Sequence, residues 1–97
     1  MKLDAITLRQ LRSVAAVAEH GSLTAAAAAL GLTTPAVYTQ IRGLEAILGA
    51  ELVKRASDQS GSVLTESGRA MLDAARRMET ILSHSAAEVS AIAKGLT

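Results

Sequence analysis

Within ten residues, Thr33, Thr34, Tyr38 and Thr39 supply four hydroxyls, with Pro35 among them and Arg42 one helical turn further on. Hydroxyls pair with several base edges, and threonine methyls or aromatic rings touch the thymine methyl. A guanidinium beside such a surface is placed for a phosphate. The chemistry suggested is readout of duplex DNA. A solvated helix face of the same composition is the plain alternative. Catalytic chemistry is poorly served. The chain has no cysteine, and its only histidines are His20 and His84, so thiol catalysis, Cys-bearing zinc sites and a His-based metal cluster are not expected. It contains neither GxGxxG nor a Walker motif. We expect no enzyme, no metal and no cofactor.

The elements that must hold these residues follow from punctuation. The 97 residues have a one-domain length, and seven glycines and one proline cut an alanine-rich chain whose commonest residue is the best helix former. Thr7-Leu8-Arg9-Gln10 fits a capping box, after which Leu8, Leu11, Val14, Ala15 and Ala18 recur at helical spacing up to Gly21. Ser22 caps a short helix, about 23–30, stopped by Gly31; its alanines let neighbours approach closely. Thr33 or Thr34 caps a third helix with Pro35 in its first turn, running to about Leu48 before Gly49. On that helix Val37, Ile41, Leu44 and Leu48 form an apolar stripe, and Pro35, Tyr38, Thr39 and Arg42 lie on the other side. A helix following a short helix after a tight turn matches a helix-turn-helix, whose second helix enters the major groove.

Residues 51–64 change character. A partly alternating Glu51-Leu52-Val53-Lys54-Arg55, a polar turn-rich stretch and Val63-Leu64 read as a β-hairpin that must lie against the helices. Thr65 then caps a final helix in which Met71, Ala75, Met78, Leu82, Ser85, Val89, Ile92 and Leu96 repeat as a/d positions. Arg76, Arg77, Asp73 and Glu79 read as its solvated flank, and His84 as a neighbour of the seam. About 30 residues make a rod of about 45 Å, longer than the rest of the domain is wide. Its outer half needs a partner, most simply a second copy.

Net charge is only +1, with +2 in residues 1–55 and −1 in 56–97. Non-specific affinity should be weak; a dimer neutralising about six phosphates gives a log–log salt slope near −5. No apolar run approaches the ~20 residues needed to cross a bilayer, and the N-terminus lacks a signal pattern, so a cytoplasmic, membrane-free location is expected.

Residues 8–27, from Leu8-Arg9-Gln10-Leu11 to Thr24-Ala25-Ala26-Ala27, resemble the opening of LysR-type transcriptional regulators. Thr33-Thr34-Pro35-Ala36-Val37-Tyr38-Thr39-Gln40-Ile41-Arg42-Gly43-Leu44-Glu45 resembles that family's recognition helix, and Leu48-Gly49, Leu52-Val53-Lys54-Arg55 and Leu64-Thr65-Glu66-Ser67-Gly68 continue the pattern. The resemblance implies a mostly α fold: a winged helix-turn-helix of three helices plus hairpin over 1–65, then a linker and dimerisation helix over 66–97. It also implies an antiparallel homodimer on an interrupted inverted repeat, and a small-molecule effector taken by a C-terminal domain absent from this chain. The segments around Thr7 and Leu32 look most like the branch that activates Calvin-cycle operons.

Residue by residue, the resemblance implies base contacts for Thr34, Pro35, Tyr38 and Thr39, and a phosphate contact for Arg42. It implies a cap at Thr33 with an amide near phosphate. Lys54 and Arg55 begin the wing, with Arg55 reaching the backbone or minor groove. Ser22 and Thr24 offer hydroxyls to phosphate, although capping alone accounts for Ser22. Arg9 and Arg12 are further phosphate candidates. The family usually has Ser-Gln before the proline and Ser-Arg after the valine, where this chain has Thr33-Thr34 and Tyr38-Thr39. Base preference therefore does not transfer. A Phe common before the wing's Lys-Arg is Val53. The competing reading is a coiled-coil protein-interaction module without specific DNA binding.

Overall fold

The computed structural model describes residues 1–58 and 60–96. After a 3-10 turn at Leu3–Ala5, the order is α1 (Leu8–His20), α2 (Leu23–Leu30), α3 (Thr34–Leu48), β1 (Val53–Arg55), β2 (Ser62–Leu64) and α4 (Glu66–Ala93). Each α-helix starts on a hydroxyl that accepts an amide hydrogen bond: Thr7 from Gln10, Ser22 from Ala25, Thr33 from Ala36 and Thr65 from Gly68. Gln10 also accepts the Thr7 amide, completing the capping box. Gly21, Gly31 and Gly49 end α1, α2 and α3 at positive φ, where a side chain would be strained. The 3-10 turn was not foreseen.

The core joins Leu11, Val14 and Val17 of α1, Ala26 and Ala27 of α2, and Val37, Ile41 and Leu44 of α3. It also takes Leu52, from the loop before β1, and Ala75 of α4. The face of α1 differs from the expected series. Leu8 and Ala18 are exposed, while Ser13, Ala16 and Val17 are buried. The reason is that α1 packs against α2, α3 and α4 together, so more than one face is covered. Ser13 is accommodated because its hydroxyl donates to the side-chain carbonyl of Gln40 on α3.

β1 and β2 pair antiparallel, with Val53 opposite Leu64, Lys54 opposite Val63 and Arg55 opposite Ser62. The paired segment is shorter than the expected 51–64 because Thr65, which the register puts opposite Leu52, turns away to cap α4; Leu52 itself is wholly buried. The hairpin is tied down by backbone bonds from Ser62 N–H to Gly21 C=O (2.8 Å) and from Thr65 N–H to Leu52 C=O (2.9 Å). Two glycines make those approaches possible. A Cβ on Gly61 would lie 2.4 Å from Gly21 O, and one on Gly68 would lie 2.1 Å from Leu52 O.

The seam expected along α4 divides into two parts. Ala75 is 2% exposed within this chain's own core, and Met71 is half-buried against it, because the first turns of α4 pack on α1. Those two positions serve intrachain packing. The exposed apolar series starts at Met78 and continues through Leu82, Val89 and Ile92, with Ile81 exposed off the a/d register. Glu79 stays on its solvated flank and there pairs with Arg12 of α1 at 3.1 Å, while Asp73 pairs with Arg77 at 3.1 Å. Both pairs are solvent-exposed, so each is worth about 1 kcal/mol at most. No helix of the described residues is long and apolar enough to cross a membrane.

Candidate nucleic-acid interface

α3 buries Val37, Ile41 and Leu44 and leaves Pro35, Tyr38, Thr39 and Arg42 exposed, with Thr34 half-buried at its first turn. The outward face thus carries hydroxyls, a ring and one cation, as expected of a helix that buries one stripe. Thr33 Oγ1 is occupied by the Ala36 amide at 3.2 Å, and Ser22 Oγ by the Ala25 amide at 3.0 Å. Each of these hydroxyls keeps its own hydrogen to donate. Thr24 is exposed at the start of α2.

The antiparallel register brings Lys54 and Arg55 to the same open groove as Tyr38 and Arg42, with Leu23, Val53 and Ser62 on its walls. The structure therefore gathers one helix face and one wing strand around a shared concavity. Arg9 lines a separate depression with Arg12, Leu30, Leu32 and Gln40. Arg12 is already engaged by Glu79, and Arg42 by Glu45 at 2.9 Å. Arg9, Lys54 and Arg55 have no ion pair among the described residues, which leaves them available to phosphates.

Arg42 also lies over the Tyr38 ring, its guanidinium carbon 5.1 Å from the centroid. The Tyr38 side chain and the Glu45 carboxylate together hold the Arg42 pKa above its ordinary value. At the wing tip, Asp58 accepts from both the amide and the hydroxyl of Ser60, which lowers its pKa. Among the described residues no group of three or more metal-ligating side chains comes together.

Sequence reasoning passed over Glu45, Gln40 and Ser13. Glu45 is 8% exposed, and its Oε2 accepts the Leu52 amide at 2.8 Å. A signal was present: Tyr38, Arg42 and Glu45 stand at i, i+4 and i+7, one face of a helix. The Ser13–Gln40 pair left no comparable signal, because its members are 27 residues apart.

The model of the bacterial regulatory helix-turn-helix protein, lysR family, matches residues 8–69. The chain belongs to that family and carries its DNA-binding helix-turn-helix domain. Among curated relatives, the HTH-type transcriptional regulator CbbR of Cereibacter sphaeroides is 46% identical over 98% of this chain and 31% of its own length. The RuBisCO operon transcriptional regulator of Allochromatium vinosum is 44% identical over 79% of this chain and 27% of its own length. The chain thus spans about a third or less of the relatives it matches. Among solved structures, the CbnR DNA-binding domain–DNA complex superposes with a TM-score of 0.80 at 38% identity, covering 90% of this chain and 98% of that one.

Proposed function

We propose that this chain is the sequence-reading head of a LysR-type regulator and acts as a homodimer on duplex DNA. α3 lies in the major groove, with Thr34, Pro35, Tyr38 and Thr39 toward base edges. The hairpin, about 51–64, lies at the flanking minor groove, where Arg55 and Lys54 meet backbone or groove. Arg9, Thr24 and Ser22 face phosphates, and Thr33 offers a helix N-terminus. In this division residues 1–65 form the head and 66–97 the linker helix. The exposed outer part of α4 pairs with a second copy through Met78, Leu82, Ser85, Val89 and Ile92. Two-fold protein symmetry then calls for an interrupted inverted repeat with half-sites about one helical turn apart.

One observation carries this reading: a hydroxyl-bearing helix face with a single cation, left exposed beside a basic wing strand. The relatives support a finer assignment to the branch regulating carbon dioxide fixation operons, in a cytoplasmic protein whose effector binds a further C-terminal domain. The test is selection from a randomised duplex pool, with Tyr38→Ala and Thr39→Ala as variants. Wild type should enrich an inverted repeat, and each variant should lose about 1–3 kcal/mol of base discrimination. Equal weak binding to random and selected duplexes would favour a protein-interaction module instead, a reading the exposed apolar stripe of α4 also accommodates.

A further inference from the structure

Glu45 is the one acidic side chain of α3, and it faces two ways from a buried position. Its Oε2 accepts the Leu52 amide at 2.8 Å and the Val53 amide at 3.4 Å, at the base of the wing. Its Oε1 accepts from Arg42 at 2.9 Å, and Arg42 covers the Tyr38 ring. A continuous relay therefore runs from the wing backbone through a carboxylate and a guanidinium to the tyrosine. The charge of Arg42 is matched and its guanidinium is held against a ring. Its partner carboxylate is buried and also holds the wing amides, so the guanidinium is tethered at the junction of α3 and the wing.

We propose that Glu45 is a positioning residue for sequence readout. Acting through Arg42, it sets the Tyr38 ring relative to the wing without touching DNA, and Arg42 serves as a strut and not as a phosphate anchor. This rests on the reading above, in which Tyr38 faces bases. It replaces the phosphate role that the resemblance implies for Arg42 with a competing one. The two roles make opposite predictions. An anchor adds affinity to every sequence and steepens the salt dependence. A strut changes discrimination and leaves the salt dependence alone.

The experiment uses the duplex that wild type enriches from a randomised pool, a scrambled duplex of equal composition, and a series of salt concentrations. Arg42→Ala should lower the selected-to-scrambled affinity ratio by about tenfold or more, within the range for a lost base contact, with an unchanged salt slope. Glu45→Gln should release Arg42, so scrambled-duplex affinity rises and the dimer's salt slope steepens by about 2. Uniform weakening of Arg42→Ala on both duplexes, with a slope shallower by about 2, would make Arg42 an anchor and overturn the proposal. So would Glu45→Gln with a lower Tm and an unchanged ratio and slope. Arg42 is exposed, so Arg42→Ala decides the matter even where Glu45→Gln fails to fold. Enrichment of no sequence by wild type would sink the DNA reading itself; enrichment with an unaltered Arg42→Ala ratio would sink this inference alone.

Discussion

Gly68→Ala sets two simple rules against each other. Glycine in a helix interior is worse than alanine by about 1 kcal/mol, so propensity predicts stabilisation. Packing predicts the reverse. The new Cβ would lie 2.1 Å from Leu52 O, 3.0 Å from Leu52 C and 3.1 Å from Leu64 Cβ. The first two are backbone atoms of a wholly buried residue, so no flexible side chain can move aside. The start of α4 must retreat from the wing base by about 1 Å to restore ordinary contact distances. That retreat stretches the 2.9 Å bond from Thr65 N–H to Leu52 C=O. Overpacking costs about 1–3 kcal/mol, and a weakened hydrogen bond about 1 kcal/mol more. After the propensity gain, the net loss is about 1–3 kcal/mol, out of a total near 5–15 kcal/mol for a domain of this length. At about 4–8 °C per kcal/mol, Tm should fall by about 4–24 °C. Thermal and urea unfolding followed by circular dichroism measure this directly, with an unchanged urea m-value as the check on two-state behaviour. A variant equal to or more stable than wild type would refute the claimed contact between α4 and the wing base.

Other outcomes follow from the same geometry. Leu82→Glu places a charge on the exposed stripe of α4, outside the head's core; sedimentation should show monomer where wild type shows dimer, with the circular dichroism of the head retained. Arg55→Ala should weaken selected and scrambled duplexes alike and make the dimer's salt slope, near −5 for wild type, shallower by about 2. At the wing tip, Ser60 holds the Asp58 pKa down. Because the folded value lies below the unfolded one, the associated stabilisation is present above the ordinary carboxylate pKa and is lost as pH falls through the depressed value. NMR titration should place the Asp58 midpoint below its ordinary value, and Ser60→Ala should raise it; an unmoved midpoint would remove the hydrogen bonds from the explanation.

Local chemistry was legible in the sequence, and tertiary pairing was not. The caps at Thr7, Ser22 and Thr65 and the stops at Gly21, Gly31 and Gly49 are set by residues a few positions apart, and all appear where expected. The sequence allows Thr33 or Thr34 as the cap of α3, and geometry decides for Thr33. The core stripe of α3 was equally legible, because helical periodicity alone determines it. Ala75 misled because a heptad register cannot say whether the partner is α1 of the same chain or a second chain. The Arg12–Glu79 pair was not legible for a similar reason: its members lie far apart in sequence. Gly68 is one of seven glycines that punctuate the chain, and nothing local shows that its role is to admit the Leu52 carbonyl. Within the candidate interface, the exposed residues of α3 and β1 could be named from composition and resemblance. For Glu45 the helical spacing with Tyr38 and Arg42 was legible, but its bonds to the Leu52 and Val53 amides were not, because they join two elements.

Tyr38 is the single aromatic residue of the chain, so a fluorotyrosine-labelled protein reports on that position alone. Fluorine NMR during titration with the selected duplex is the most direct test of a hydroxyl-bearing helix seated against bases. The account predicts a clear shift of the Tyr38 signal on the selected duplex and a different, smaller one on the scrambled duplex at equal saturation. An unmoved signal in a fully formed complex would place the DNA elsewhere and contradict it.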